Sequence, residues 1–182
     1  MFKKFTKADV HTKSNIKSSV QRGLKSKLVS TYPRLQAVID DLVPKKSQLI
    51  QTKCEDNIIL YSINSQVVFY EYFNELIPSL KVVHKYPELF STVQVDRGAI
   101  KFVLSGANIM CPGLTSKGAN LPSRESNLLR DSIVVVNAEG KENALAIGKL
   151  AMSTEEIKSI NKGIGIEVLH YLGDGLWKLH LD

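Results

Sequence analysis

The chain has 182 residues, of which 43% are hydrophobic and 23% charged, with a formal net charge of +6 and two cysteines. This is the composition of an ordinary globular protein, and no apolar run reaches the roughly 20 residues of a membrane-spanning helix. The amino terminus carries lysines without a following apolar stretch, so we expect no secretory signal. Cys54 and Cys111 lie outside any CxxC pattern, which favours reduced thiols and a cytoplasmic protein.

The excess positive charge is confined to the first half of the sequence. Residues 1–92 hold 14 lysines and arginines against 8 acidic residues, whereas residues 93–182 hold 10 of each. An RNA backbone or an acidic protein partner selects for a basic face of this kind. An excess of lysines and arginines also occurs on ordinary solvent-exposed surfaces, but its confinement to the first half favours RNA binding.

The first half predicts helices followed by strands. Residues 1–13 predict a loosely ordered segment. Apolar residues at every fourth position from Ile16 to Leu28 predict a helix, and Pro33 suits the first turn of a second helix that ends at Pro44. The remaining elements are expected at Ser47–Lys53, Ile58–Ile63 and Gln66–Phe73, as strands, and at Ser79–Lys85, as a helix.

The segment Gly98–Leu114 predicts a short helix, a glycine corner and a second tight turn. Asp96 is expected to cap the helix, and Gly106 to end it, because glycine tolerates a left-handed conformation. The run Cys111–Leu114, with proline second and glycine third, fits a type II turn. Such a corner exposes backbone N–H groups and can receive a phosphate or a nucleotide end, or it can simply turn the chain in a β domain.

The rest of the second half predicts short strands and one late helix. The strands are expected at Ile133–Asn137, Ala144–Met152, Gly165–Leu172 and Leu176–Leu181. Ser153 and Glu156 form a capping box that starts the helix. Many short strands with one or two helices suit a small barrel-like fold.

Neither catalytic nor metal-binding patterns stand out. The four histidines and two cysteines have no ligand-like spacing, so we predict no metal and no cofactor. Cys111 has no accompanying His–acid pattern, and apolar surroundings would raise the pKa of its thiol. His170 is expected to be a core or interdomain residue, and Trp177 a buried anchor and not a stacking platform. We therefore predict no catalytic residue and a protein that is not an enzyme.

Several stretches resemble known families. Gly98–Leu114 resembles the signature of the PUA domain, a small RNA-binding pseudo-barrel, and further matches occur at Ser132–Gly140, Ala144–Gly148, Asn161–Glu167 and His170–Trp177. The stretches Met1–Phe5, Pro44–Lys46 and His84–Pro87 resemble the malignant-T-cell-amplified family of ribosome-associated proteins, in its fungal branch. The resemblance implies an α+β fold, with a small N-terminal α/β domain (1–92) packed on a C-terminal PUA pseudo-barrel (93–172) and followed by a strand extension (173–182).

The resemblance also implies two RNA-binding surfaces. In PUA domains the helix and glycine corner hold a tRNA-like acceptor end or stem, and the matching positions are Lys101, Gly106, Ala107, Asn108, Met110 and Gly113. Many PUA domains have an acidic residue in place of Asn108, which puts in doubt any contact that depends on that carboxylate. The basic N-terminal domain is expected to dock on ribosomal RNA through Lys4, Lys45 and Lys46.

The function implied by the resemblance is that of a non-enzymatic factor of the 40S ribosomal subunit. Similar proteins act in ribosome recycling, where deacylated tRNA and mRNA are released, and in reinitiation of translation. The implied partner is a homologue of the density-regulated protein, which carries a SUI1-type domain. Two alternatives remain open: a tRNA-binding accessory module for an RNA-modifying enzyme, and a scaffold whose basic face binds an acidic protein.

Overall fold

The computed structural model describes residues 1–181. The elements of the first half are β1 Val10–Asn15, α1 Ser18–Thr31, α2 Ile39–Leu42, β2 Ile50–Cys54, β3 Ile58–Ile63, β4 Gln66–Tyr72, β5 Glu75–Pro78 and α3 Leu80–Lys85. Those of the second half are β6 Thr92–Val95, α4 Ile100–Val103, β7 Ile109–Met110, α5 Pro112–Thr115, β8 Ile133–Ala138, β9 Ala146–Leu150, α6 Thr154–Ile160, β10 Ile164–Tyr171 and α7 Gly175–Lys178. The predicted strands at residues 58–63 and 66–73 and the predicted helix at 79–85 are confirmed.

Strands β1 to β5 form one antiparallel sheet in chain order. Successive side chains of a strand point to opposite faces, and this sheet is covered on both. Tyr61 faces α1, where it lines an apolar space with Leu28. Tyr70, which pairs with Leu60 in the neighbouring strand, packs instead on Phe2, with 4.9 Å between the ring centroids. The sheet therefore lies between its own helices and the amino-terminal segment.

The second sheet has the strand order β6-β8-β9-β10-β7, with β6 parallel to β8 and the other pairs antiparallel. Strands β9 and β10 approach closely at Gly148, where a Cβ atom would lie 2.4 Å from Cγ2 of Ile166. Helix α6 begins at the predicted capping box, in which Ser153 and Glu156 each accept the other's backbone N–H. The two sheets and their helices form the α+β fold that the sequence predicts.

The two halves of the chain share a hydrophobic core. Val135, Ile147 and Leu176 of the second half are buried in the same cluster as the core of the first sheet. Polar contacts also cross the junction, namely the hydrogen bonds from the Leu80 N–H to Nε2 of His170 (3.1 Å) and from the Gly175 N–H to the Phe2 carbonyl (2.9 Å), and the ion pair of Lys149 with Glu75 (2.8 Å). The prediction that His170 is a core or interdomain residue is confirmed.

Three predictions for the first half were wrong. The second helix is not continuous from Pro33: a 3-10 helix at Pro33–Ala37 is separated from α2 by Val38, whose backbone is not helical. Residues 1–13 are not loosely ordered: a capping box formed by Thr6 and Asp9 starts a short turn, and β1 then pairs with β2. The first helix also differs from the prediction, because α1 begins only at Ser18. Its buried face is shifted by one residue: Val20 is exposed, whereas the polar Gln21 is buried. Gln21 is accommodated because its amide donates a hydrogen bond to the Pro44 carbonyl (3.3 Å).

Two predictions for the second half were also wrong. Cys111–Leu114 is not a type II turn: Gly113 has no positive φ, and Pro112 occupies the first turn of α5, where its missing N–H costs nothing. The strand expected over Leu176–Leu181 is replaced by α7 at Gly175–Lys178, because Asp174 caps this helix by accepting the Trp177 N–H (2.8 Å). The last residue of the predicted 173–182 extension lies outside the described residues.

Candidate nucleic-acid interface

An open groove of about 680 Å³ lies at the corner between α4 and β7. We call it the corner groove. The predicted residues that line it are Ala107, Asn108, Met110 and Gly113, and Phe102 joins them. Phe102 is 57% exposed and Met110 49% exposed, so the groove presents two large unpacked apolar side chains to solvent. Phe102 was not among the predicted residues, although an aromatic residue beside the apolar stripe of a short helix was a usable signal.

Local hydrogen bonds shape the corner as predicted. Asp96 caps the first turn by accepting the Ala99 N–H (2.8 Å), and the Ser116 hydroxyl donates to the same carboxylate. Gly106 has a φ of +86°, which ends the helix in the left-handed region that glycine tolerates. A Cβ atom on Gly106 would lie 3.0 Å from the ring of Tyr171. Gly106 therefore packs against Tyr171 and does not line the groove.

Asn108 contributes a directed hydrogen-bond donor to the groove. Its Oδ1 accepts the backbone N–H of Val168 (3.2 Å), which leaves the amide NH₂ group to donate elsewhere. The other polar side chains among the described lining residues, Asp96 and Ser116, are bonded to each other. An amide donor between exposed apolar side chains suits the edge and face of a nucleotide base.

Lys101 lies outside the corner groove. It is exposed on α4, and its Nζ is 5.1 Å from the ring centroid of Phe102. No lysine or arginine occurs among the described residues that line the groove. The groove can thus accommodate an uncharged group such as a base or ribose, and Lys101 lies beside it, next to Phe102.

The predicted basic face is built around the loop after α2. Lys45 and Lys46 are exposed there, and Lys45 lines a shallow groove of about 490 Å³ together with Arg22 and the Lys25–Asp40 ion pair (2.7 Å). The hydrogen bond and charge of Lys25 lower the pKa of the Asp40 carboxyl, and Lys45 adds to the effect. The groove therefore contains three cations and one carboxylate, which leaves the surface positive.

Lys4 does not share this surface. Its neighbours Phe2 and Phe5 pack together, and Phe2 lies on Tyr70, on the sheet face opposite α1. The loop of Lys45 and Lys46 follows the helices on the other face. The structure therefore separates the three predicted docking residues into two places.

Neither cysteine is arranged as a nucleophile. Both thiols are buried, and burial raises the pKa of Cys54 to about 11 and raises that of Cys111. Cys111 Sγ contacts Met152 Sδ and the Lys162 carbonyl, neither of which is a base. Within residues 1–181, no three histidine, cysteine or acidic side chains are grouped so that they could hold a metal ion. None of the helices in this part of the chain is long and apolar enough to cross a membrane.

Two domain families match the chain. The Pre-PUA-like domain matches residues 4–87, and the PUA domain matches residues 91–172. The corner groove lies within the second match and the loop of Lys45 and Lys46 within the first. The predicted PUA pseudo-barrel is therefore confirmed.

Several known proteins are similar to this chain over almost its whole length. Translation machinery-associated protein 20 of Eremothecium gossypii is 65% identical over 100% of this chain and 99% of its own length. The protein of the same name in Saccharomyces cerevisiae is 64% identical over 100% of both. Human malignant T-cell-amplified sequence 2 is 45% identical over 98% of each chain. A conserved PUA domain protein from Thermoplasma acidophilum shares the fold, with a TM-score of 0.67 at 19% identity over 92% of this chain and 98% of its own.

Proposed function

This chain belongs to the malignant T-cell-amplified family, in its translation machinery-associated branch, and we propose from that membership that it is a non-enzymatic RNA-binding factor of translation. Its place of action is the 40S subunit in the cytoplasm, where it serves ribosome recycling and reinitiation. Its partner there is a SUI1-domain protein homologous to the density-regulated protein. The observation that carries the proposal is the pairing of a mainly apolar groove in the PUA domain with a basic face in the other domain.

The two surfaces have different roles: the basic face supplies affinity, and the corner groove supplies recognition. Lysine–phosphate contacts of the basic face supply salt-sensitive, sequence-independent binding to ribosomal RNA. The corner groove takes the unpaired CCA end of a P-site tRNA, with Phe102 and Met110 against base or ribose and Asn108 donating to a base edge. Drawing the acceptor end into the groove gives deacylated tRNA a competing site, which favours its release.

The proposal is tested by reconstituted recycling on purified 40S particles. We expect the protein and its SUI1-domain partner to co-sediment with 40S subunits and to accelerate release of deacylated tRNA. Sedimentation with free tRNA or with a modifying enzyme, and not with 40S subunits, would favour the accessory-module alternative. Binding that survives nuclease treatment would favour the acidic-protein alternative.

Charge reversal of Lys45 and Lys46 tests the basic face. The Lys45→Glu/Lys46→Glu variant is expected to bind 40S subunits more weakly and to flatten the slope of log affinity against log salt by about 1.5, since each phosphate contact contributes about 0.7–0.9. Sedimentation over a salt series measures both effects. The matched control, Lys117→Glu/Lys141→Glu, changes the net charge equally at exposed sites of the PUA domain. Equal behaviour of the two variants would remove the basic face from the proposal.

The Asn108→Asp variant tests the amide donor. An aspartate keeps the bond from the Val168 N–H but presents a carboxylate where Asn108 presents NH₂. We expect about fivefold weaker binding of a CCA-ended acceptor minihelix, the effect of losing a hydrogen bond worth about 1 kcal/mol. Fluorescence anisotropy measures it. Asn120→Asp adds the same charge outside the groove, and a similar loss there would show that charge alone is responsible.

A further inference from the structure

A second cleft, of about 300 Å³, lies where the two domains meet, and the function proposed above does not use it. We call it the junction cleft. One wall is the β3–β4 turn, Asn64–Gln66, together with Lys81 of α3. The other wall is Trp177 of α7 with His180. Neither domain alone forms this cleft.

The cleft is basic. The side chains at its mouth that can carry charge are Lys81 and His180, and none of the lining residues within 1–181 is acidic. The nearest buried carboxylate, Asp174, is 2% exposed and is held by His170 and by the backbone N–H groups of Tyr171 and Trp177. Its charge is therefore satisfied inside the protein, and little of it opposes an anionic ligand at the mouth.

His170 closes the floor of the cleft and takes no part in binding. Its Nε2 accepts the Leu80 N–H (3.1 Å), so the ring proton lies on Nδ1 and is donated to Asp174 (2.8 Å). With both ring nitrogens engaged, His170 has no atom left for a ligand. The groups that remain available are Lys81, His180, Trp177 and the polar turn.

Trp177 combines an aromatic surface with positive charge. The Nζ of Lys81 lies 5.3 Å from the centroid of the Trp177 ring, so a group bound by the lysine also meets the indole. Lys85, one helical turn from Lys81, and Lys178, next to Trp177, are both exposed and extend the positive surface. Cations beside an aromatic face are the arrangement that holds the backbone and bases of single-stranded nucleic acid.

We propose that the junction cleft binds single-stranded RNA, with a phosphodiester between Lys81 and His180 and the adjoining base or ribose on Trp177. This proposal rests on the RNA-binding role proposed above and adds a site on a different face. The floor of the cleft, His170, packs on Phe2 and Tyr70, on the side of the first sheet opposite the helices that precede the loop of Lys45 and Lys46. The protein can thus contact two separate RNA segments, and RNA in the cleft bridges the first domain and the C-terminal extension.

The single tryptophan of the chain makes this site directly observable. Titration of the full chain with a hexauridylate is expected to change the Trp177 fluorescence in a saturable, salt-sensitive way. In Lys81→Gln/His180→Gln the apparent affinity for this change is expected to fall about tenfold, whereas the control Lys117→Gln/Lys141→Gln should match the wild type. An unchanged affinity in the first variant would overturn the proposal.

Two further titrations separate the possible ligands. A response to hexauridylate that exceeds the response to inorganic phosphate at equal charge would support RNA as the occupant. A response to a polyglutamate peptide without one to hexauridylate would overturn it in favour of an acidic protein. If the wild type co-sediments with 40S subunits but shows no fluorescence response, only the RNA site in the junction cleft is rejected. If it shows the response but does not co-sediment, only the proposed role on the 40S subunit is rejected.

Discussion

The Ala107→Arg variant is expected to bind a CCA-ended acceptor minihelix about 30-fold more weakly than the wild type. Ala107 is exposed and lines the corner groove, so an arginine side chain would occupy the volume that a base needs. Stacking of one base on a protein surface contributes about 1–3 kcal/mol, and about 2 kcal/mol corresponds to this factor. Fluorescence anisotropy with the labelled minihelix measures the loss, and tRNA release on 40S particles should slow in parallel.

The charge of the arginine makes this a stringent test. A positive charge by itself attracts RNA, so charge cannot account for weaker binding, whereas a filled groove can. Ala37→Arg adds the same charge at an exposed site of the other domain and should bind the minihelix at least as well as the wild type. Gly106 is a poorer position for substitution, because its φ of +86° and its contact with Tyr171 would strain the corner itself. Undiminished binding by Ala107→Arg would exclude the groove as the acceptor-end site.

The His170→Ala variant is expected to lower the free energy of unfolding by about 3 kcal/mol. His170 is 1% exposed and bonds the N–H of Leu80, the first residue of α3. This N–H has no partner within its own helix, so the imidazole of one domain completes the helix start of the other. Its removal would leave that N–H unbonded, take one partner from Asp174 and open a cavity, and each unmet buried polar group costs about 1–3 kcal/mol.

Urea denaturation of the full chain measures this change. The control is His11→Ala, because His11 pairs with Glu55 on the surface, with about half of each side chain exposed, and such pairs contribute about 1 kcal/mol at most. We expect the variant to loosen the junction cleft as well, so the response of Trp177 to hexauridylate should weaken. A midpoint equal to that of His11→Ala would show that the buried contact does not stabilise the domain junction.

Much of the fold follows from local pattern. The strands at residues 58–63 and 66–73, the cap at Asp96 and the capping box at Ser153 were predictable, because each depends on residues within a few positions along the chain. Strand β1 was not predictable in this way. Its residues His11 to Asn15 are polar and exposed, and they are held in a strand only by pairing with residues some 40 positions later.

The functional surfaces were less predictable than the elements that carry them. Four of the six predicted corner residues line one groove, but helix orientation places Lys101 outside it and Phe102 inside. Lys4, Lys45 and Lys46 were predicted to share one docking face because all three are basic residues of the first domain. The packing of Phe2 on Tyr70 puts Lys4 on the other side of the sheet.

By itself, the amino-acid sequence determined the family, the α+β class, the glycine corner and the excess of charge in the first domain, because these depend on composition and on short-range pattern. Only the tertiary structure decided which side chains meet. Docking of the two domains buried the His170–Asp174 pair and assembled the junction cleft. The physical reason is that these features depend on contacts between residues far apart in the chain, such as Leu80 with His170 and Phe2 with Gly175, which no local pattern encodes.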